Sequence, residues 1–240
     1  MDNSYRILDW DSQFFGYKIA SLKPWKLESE RLNEIIADLK KNDIKLIYCF
    51  INPDDEISNR SVLNMSGFLA DKKITFINEI TQENNFVDSD YIKPYKLNYA
   101  SEKLKLLALQ SGLYSRFRID PYFNKDEYQK LYLEWIKKSV QKIMATEILV
   151  YYKDNDEKGF VTLGITDGIG SVGLIAVDEL ERGNSIGKKL MFAALNYFKE
   201  NKINVVEIVT QKANTVACGF YQSLGFKKKN IVNVYHIWIK

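Results

Sequence analysis

Hydrophobic period divides the chain into alternating strands and helices. Lys18-Ile19-Ala20-Ser21-Leu22 reads as a strand, and Leu32, Ile35, Ile36 and Leu39 space a helix that stops near Asn42-Asp43. The run from Ile44 to Ile51 is interrupted only by Lys45, which suits a strand buried on both faces. The next helix is expected over residues 58–66, with Ser58 or Asn59 as its N-cap and Gly67 as its C-cap. Residues 74–80 then alternate as a strand. This β-α-β-α-β order predicts a three-layer α/β unit.

A polar stretch, residues 82–90, follows as the best linker, so the expected division is an N-terminal α/β domain over residues 1–88 and a second domain over 89–240. The second opens with a strand near residues 91–99. Its first helix, residues 101–112, carries Leu104, Leu107 and Ala108 on one face. Another helix over 125–142 carries Tyr128, Leu131, Tyr132 and Trp135. Between them lies Ser115-Arg116-Phe117-Arg118-Ile119-Asp120-Pro121. Three strands, near 147–152, 159–165 and 171–177, are joined at Asp154-Asn155-Asp156 and Asp167-Gly168 and read as an antiparallel meander.

The last of these strands ends in Leu174-Ile175-Ala176-Val177 and reaches Arg182-Gly183-Asn184-Ser185-Ile186-Gly187. Gly187, Leu190, Met191, Ala194, Leu195 and Phe198 then mark a helix with one buried face. A strand at 205–209, a helix and a closing strand at 233–239 complete the pattern. One echo stands out. Buried strand, short helix and Gly67-Phe68 repeat the order of buried strand, short helix and Gly225-Phe226. Two readings are open: a duplicated half-domain that has lost its phosphate loop, or merely two helices ended by a similar cap.

Composition narrows the class. The 240 residues are 46% hydrophobic and 27% charged, with a formal net charge of +3 and no basic stripe, so nucleic acid is not an expected partner. No run of 18 apolar residues exists and the start lacks a signal-peptide core, so a cytoplasmic protein without membrane contact is expected. Cys49 and Cys218 make no metal spacing and read as reduced; with a single histidine, no multi-histidine metal site is expected.

A strand that runs through a glycine-punctuated loop into a helix gathers unpaired backbone N–H groups at the positive end of the helix dipole, which suits phosphate. The spacing excludes a Walker loop, because Gly183 and Gly187 enclose three residues and are followed by Lys188-Lys189. It also excludes the three-glycine dinucleotide fingerprint. The loop and the later Asn214-x-x-Ala217-x-x-Phe220-Tyr221-x-x-Leu224-Gly225-Phe226 together resemble the GNAT acetyltransferases. Ser185 departs from that pattern, standing where the family usually has glycine, and a serine adopts positive φ at greater cost. The resemblance covers about the last 80 residues. It implies a GNAT acyltransferase fold of α+β type with a smaller N-terminal α/β domain, and acetyl-CoA as acyl donor. Carried over residue by residue, it places the cofactor on Ile175, Ala176, Val177, Arg182, Gly183, Asn184, Ser185, Ile186, Gly187, Lys188, Asn214 and Tyr221. Tyr221 is implied as the acid that protonates the leaving thiolate. Asn214 serves equally well as a helix N-cap. For a general base the candidates are Asp120, Glu147, Glu179 and His236, or a water chain.

Further motifs resemble one subgroup. Trp10-Asp11-Ser12-x-Phe14-Phe15-Gly16, Ser115-Arg116-Phe117-x-x-Asp120-Pro121-x-Phe123, Leu131-Tyr132-x-x-Trp135-Ile136 and Tyr235-His236-x-Trp238 are similar to the acetyltransferases of dTDP-4-amino-4,6-dideoxygalactose, which act in surface-polysaccharide synthesis. This implies a nucleotide-linked amino sugar as acceptor, bound near the domain junction. Arg116, Arg118 and Asp120 are expected to face it, because arginine's planar fork suits phosphate. The alternatives are a GNAT enzyme of another amine and a non-catalytic coenzyme A module. A homodimer is left open.

Overall fold

The computed structural model describes residues 4–23, 26–81, 83–87, 89–124 and 126–239. Gln82, Asp88 and Lys125, where the linker and one helix start were expected, lie outside the described residues. The chain begins with β1 (Tyr5–Ile7), α1 (Asp9–Phe15), β2 (Lys18–Leu22), α2 (Ser29–Lys41), β3 (Ile44–Ile51), α3 (Glu56–Asn64) and β4 (Phe68–Glu79). It continues through β5 (Ile92–Pro94), α4 (Glu102–Ser111), α5 (Arg116–Ile119), α6 (Glu127–Val140), β6 (Glu147–Lys153), β7 (Asp156–Thr166) and β8 (Ile169–Val177). The last elements are α7 (Ile186–Glu200), β9 (Val205–Gln211), α8 (Thr215–Ser223) and β10 (Lys227–Trp238).

The ten strands among the described residues form one sheet in the order β1-β2-β3-β10-β4-β9-β8-β7-β6-β5. Strand alternation divides its side chains between two layers of helices. On β3, Ile47, Cys49 and Ile51 turn to one face and pack with Leu32, Ile35 and Leu39 of α2. Farther along that face, Ile74, Phe76, Val206 and Ile208 pack under α7 and Tyr221 of α8. Leu46 and Tyr48 turn to the other face, where they meet Phe117 of α5 and Leu131 of α6. The same α6 continues to Ile136 and Val140, which pack with α4 over Ile148, Val150 and Phe160.

Several local expectations change. The aromatic opening contains a helix, α1, that its hydrophobic pattern does not announce. The α3 helix starts earlier than expected because Asp55 is the N-cap, its carboxylate accepting from the Ser58 N–H at 3.1 Å. At the end of α3 the left-handed residue is Ser66, φ 59°, rather than Gly67. Gly67 is needed for a different reason: a β carbon there would stand 2.4 Å from the Val62 side chain and 2.7 Å from its carbonyl.

The largest change is topological. The closing strand expected over 233–239 is the longer β10, Lys227–Trp238, and β4 from the first half lies beside it. β4 pairs antiparallel with both β10 and β9. The expected boundary falls between β4 and β5, and the strands on its two sides interleave in one sheet. The interleaving has a pseudo-twofold pattern. β1 and β2 pair antiparallel, as do β7 and β8; β2 and β3 pair parallel around α2, as β8 and β9 do around α7. Each half then sends its last strand across: β10 inserts between β3 and β4, and β4 between β10 and β9. Both short helices end in the same hydrogen bond, Gly67 N–H to the Val62 carbonyl at 2.9 Å and Phe226 N–H to the Tyr221 carbonyl at 3.1 Å. The topology repeats, while these bonds align Gly67 with Phe226 and Ser66 with Gly225, so the Gly-Phe echo itself is one residue out of register.

Candidate active site

β8 and β9 pair only over Ile169–Val172 and Val205–Ile208, although both strands continue. Beyond Val172, β8 bulges: its register on β7 shifts, and the Leu174 N–H turns to the Thr162 hydroxyl at 2.7 Å. Gly173 permits the close approach, since a β carbon there would stand 2.8 Å from that hydroxyl oxygen. The result is a wedge that widens toward the C-terminal ends of two parallel strands. Among the described residues the backbone of Leu174, Ile175, Ala176 and Val177 has no ladder partner on the β9 side, which leaves those groups open to a ligand. A gap between neighbouring strands also joins the two faces of the sheet.

The loop after β8 is anchored at one end and open at the other. Asp178 donates its N–H to the Lys158 carbonyl at 2.9 Å, its carboxylate accepts from Lys103 and from the Leu180 N–H, and the Lys103 ammonium holds it below the ordinary carboxylate range. Arg182, Gly183, Asn184 and Ser185 are exposed. Gly183 and Ser185 both have positive φ, 85° and 58°, and Ser185 starts α7 without a side-chain capping bond. The serine therefore takes the left-handed backbone that glycine would adopt at this place. The first turn of α7 holds no acidic residue. Lys188 and Lys189 lie beside it, lining a groove of about 490 Å³ with Ser185 and Phe192. A helix start without acids, its positive dipole end and two nearby ammonium groups suit an anion.

α8 closes over the wedge. Asn214 is its N-cap, the side-chain carbonyl accepting from the Ala217 N–H at 3.1 Å. A β carbon on Gly187 would lie 3.4 Å from the Phe220 ring and 3.7 Å from Val177, so the ends of β8, α7 and α8 converge. Tyr221 is buried against Phe76, Phe220 and Phe226. Burial, with Cys218 nearby, pushes its phenol well above 10. A lowered phenol pKa is therefore not how Tyr221 would serve; proton donation would have to accompany bond cleavage.

The opposite face carries a second cluster. His236 is fully buried; its Nδ1–H donates to Asp120 Oδ2 at 2.6 Å, and its Nε2 accepts from Arg116 Nη1 at 3.0 Å. Arginine has no acceptor, so this chain fixes the histidine tautomer. Burial holds His236 down to about 4, against the pull of Asp120. Both ring nitrogens are occupied, which removes His236 from the candidate bases. Asp120 also accepts from Trp238 Nε1 at 2.9 Å and from the Tyr122 N–H at 3.0 Å. Although burial opposes it, these bonds hold the carboxylate below its ordinary range. Asp120 thus stands behind His236, and Arg116 stands in front. The Arg116 guanidinium lies 4.0 Å above the Tyr48 ring and 4.5 Å from that of Phe117. Arg118 is not part of this cluster: it is exposed and donates to the Leu113 carbonyl at 2.9 Å.

Asp71 was not singled out by any sequence pattern. Its register opposite Val234 puts it on the sheet face of His236, Tyr48 and Arg116. Burial raises its carboxyl to about 6 even though Arg116 and Lys73 pull it down. The linear signal that could have found it is weak, a lone acid in an alternating strand; only the insertion of β4 beside β9 gives it a place.

Residues 111–226 match the acetyltransferase (GNAT) family. The fold is a GNAT fold. The matched stretch runs from the last residue of α4 to just past α8 and so includes the bulged strand, the left-handed loop and Tyr221. Members of the GNAT family take their acyl group from acetyl-CoA. The chain is 33% identical to mycothiol acetyltransferase of Thermobispora bispora over 72 residues, 30% of this chain and 24% of that protein. To the spore coat polysaccharide biosynthesis protein SpsD of Bacillus subtilis it is 26% identical over 143 residues, 58% of this chain and 47% of that one. It thus spans between a quarter and a half of the length of these curated relatives. A GCN5-related N-acetyltransferase from Sphaerobacter thermophilus shares the fold at TM-score 0.61, with 12% identity over 97% of this chain and 75% of that one.

Proposed function

We propose that this GNAT protein is an acetyl-CoA-dependent N-acetyltransferase that acts by direct transfer on the amine of a nucleotide-linked deoxyamino sugar of the dTDP-4-amino-4,6-dideoxyhexose type. The observation that carries the first part is the end of the β8–β9 ladder at Val172 and Ile208, beside a helix start with free N–H groups. In this reading the pyrophosphate sits on Arg182 to Lys188, and the pantetheine arm adds to the open edge of Ile175, Ala176 and Val177. Asn214 borders the arm from α8. The thioester then reaches through the wedge to the face of Arg116. The freed amine attacks the carbonyl carbon, the C–S bond breaks, and Tyr221 gives its proton to the departing sulfur as the bond lengthens.

Support for the acceptor comes from the four subgroup motifs, from the likeness to a polysaccharide biosynthesis protein, and from the placement of Arg116. Residues 1–88 act, in this proposal, as the N-terminal unit that walls the acceptor side, supplying Tyr48 and β4. Arg116 receives the acceptor's phosphate, and Asp120 positions it through His236. The reaction is cytosolic in this reading; no helix among the described residues is long and apolar enough to cross a membrane.

The test is thiol release from acetyl-CoA with a panel of amines that includes dTDP-4-amino-4,6-dideoxygalactose. Turnover with the sugar nucleotide is expected to exceed that with polyamines and peptides. Arg116→Ala should raise KM for the sugar nucleotide about tenfold or more while sparing KM for acetyl-CoA, the mark of a lost acceptor contact. Coenzyme A binding without thiol release from any amine would leave a binding module instead.

A further inference from the structure

The acceptor face holds two opposite charges that attract each other and do not meet. Arg116 is half-buried, and no carboxylate lies within 4 Å of it among the described residues. Asp71 is half-buried too and forms no ion pair among them. They lie over the same face of the sheet and act electrostatically on each other. A third polar group nearby, the Tyr48 hydroxyl under the guanidinium, is buried without a hydrogen-bond partner among the described residues. Buried charges are ordinarily paired, because desolvation without a counterion is costly. Here the aromatic bed and the His236 bond hold Arg116 over β3, while the register of β4 holds Asp71 one strand beyond β10. The arrangement suits a ligand with one anionic and one cationic group.

Asp71 also lies beside the wedge. The last β4–β9 pair is Lys73 with Gln211, and the Lys212 N–H still reaches the Lys72 carbonyl at 2.8 Å. One residue farther, Asp71 stands where β9 runs out, at the end toward which the β8–β9 gap widens, on the face away from α7 and α8. We propose that Asp71 binds the ammonium of a zwitterionic acceptor whose phosphate lies on Arg116, and takes the proton that must leave before the amine can attack. This deepens, and rests on, the acetyltransferase reading.

The proton and electron accounts close. The ammonium gives one proton to the Asp71 carboxylate. The nitrogen lone pair forms the C–N bond, and the C–S bond breaks with its electrons on sulfur. As the C–S bond lengthens the sulfur takes the Tyr221 proton, the phenolate recovers the second proton from nitrogen, and Asp71 releases its own to solvent. The products are the acetamide, coenzyme A thiol and one proton. Charged and titratable groups facing Asp71 are Arg116 from α5, Lys73 on its own strand and Tyr132 from α6, while Asp11 from α1 faces Arg116. A base that titrates near 6 under these influences is ionised at neutral pH and is lost as pH falls through that value.

The experiment compares Asp71→Asn, Asp71→Glu and the wild type in kcat/KM against pH, with acetyl-CoA and the most active amine of the panel. Calorimetry with coenzyme A reports whether the fold and the cofactor site are intact. Asp71→Asn should lose about 100-fold or more in kcat/KM, within the usual range for acid–base groups. It should lose the acid limb near pH 6 and keep coenzyme A affinity within about twofold. Asp71→Glu should restore part of the rate together with an acid limb. A wild type that turns over while Asp71→Asn stays within about threefold, acid limb intact, would overturn the role of Asp71 and leave the acetyltransferase reading standing. A wild type that binds coenzyme A and acetylates no amine would overturn both.

Discussion

The two pseudo-equivalent halves of the sheet share a topology and differ in what their helix starts can hold. In each, a strand leads to a helix and a parallel strand, then to a short helix and a crossing strand. In the C-terminal half α7 begins at a left-handed Ser185, has no acid in its first turn, and is preceded by exposed Gly183 and Asn184. In the N-terminal half α2 begins at Glu28 with ordinary extended φ and ψ, −73° and 150°, and carries Glu30 in its first turn. Those carboxylates complement the helix dipole and repel a phosphate. The loop before α2 is also tied to α3, the Leu27 N–H donating to the Ser58 hydroxyl at 2.7 Å and the Ser29 and Ser61 hydroxyls meeting at 3.1 Å. One helix start is closed by its own chain; the other leaves its donors free. The architecture repeats, and the chemistry resides in a few backbone angles and charges.

The short helices differ in the same way, and this gives the largest expected effect. The shared terminal hydrogen bond aligns Val62 of α3 with Tyr221 of α8. Both are buried, but only one carries a hydroxyl. Tyr221→Phe keeps the ring among Phe76, Phe220 and Phe226 and removes the proton donor. Turnover should fall by about 100- to 10,000-fold, the usual span for general acid catalysis, with coenzyme A affinity nearly unchanged. Retention of more than about half the wild-type turnover would make Tyr221 a packing residue like Val62.

A charge exchange at the helix starts should have a smaller effect. Lys188→Glu places on α7 an acid like the one α2 carries. Replacing a favourable exposed charge with an unfavourable one is worth about 1–2 kcal/mol, or five- to thirtyfold in coenzyme A affinity, and should shrink at high salt. Calorimetry at two ionic strengths checks both statements. Unchanged affinity would detach α7 from the phosphate.

Much of this site is legible along the chain because it is local. Arg182 to Gly187 and Asn214 to Phe226 are continuous segments whose spacing survives in sequence, and the structure brings both to one wedge. Arg116, His236 and Asp71 are distant in sequence and meet only through strand insertion. Periodicity marks β4 as a strand and cannot show that it leaves its own half to lie beside β9. Asp120 illustrates the same limit: its motif is visible, but its burial behind His236 depends on Trp238 and Tyr122 approaching from two directions. The α1 helix is not legible because its 7 residues make about two turns, too few for a helical period to register.

The smallest expected effect isolates the backbone difference between the two helix starts. Ser185 holds φ 58° without a capping hydrogen bond, so its side chain makes no local bond that offsets the left-handed strain. Glycine would relieve about 1 kcal/mol of that strain and return roughly half of it as greater freedom of the unfolded chain. Ser185→Gly should therefore stabilise the protein by about 0.5 kcal/mol, a rise of roughly 1–2 °C in Tm for a chain of this length. Coenzyme A affinity should stay the same or improve slightly, since the loop N–H groups remain in place. Thermal melts and calorimetry on the same variant read the two effects separately. A severalfold loss of affinity with unchanged Tm would mean that the Ser185 hydroxyl itself touches the cofactor. A fall in Tm would mean that the serine, unlike Glu28 at the start of α2, is held left-handed by contacts that glycine cannot make.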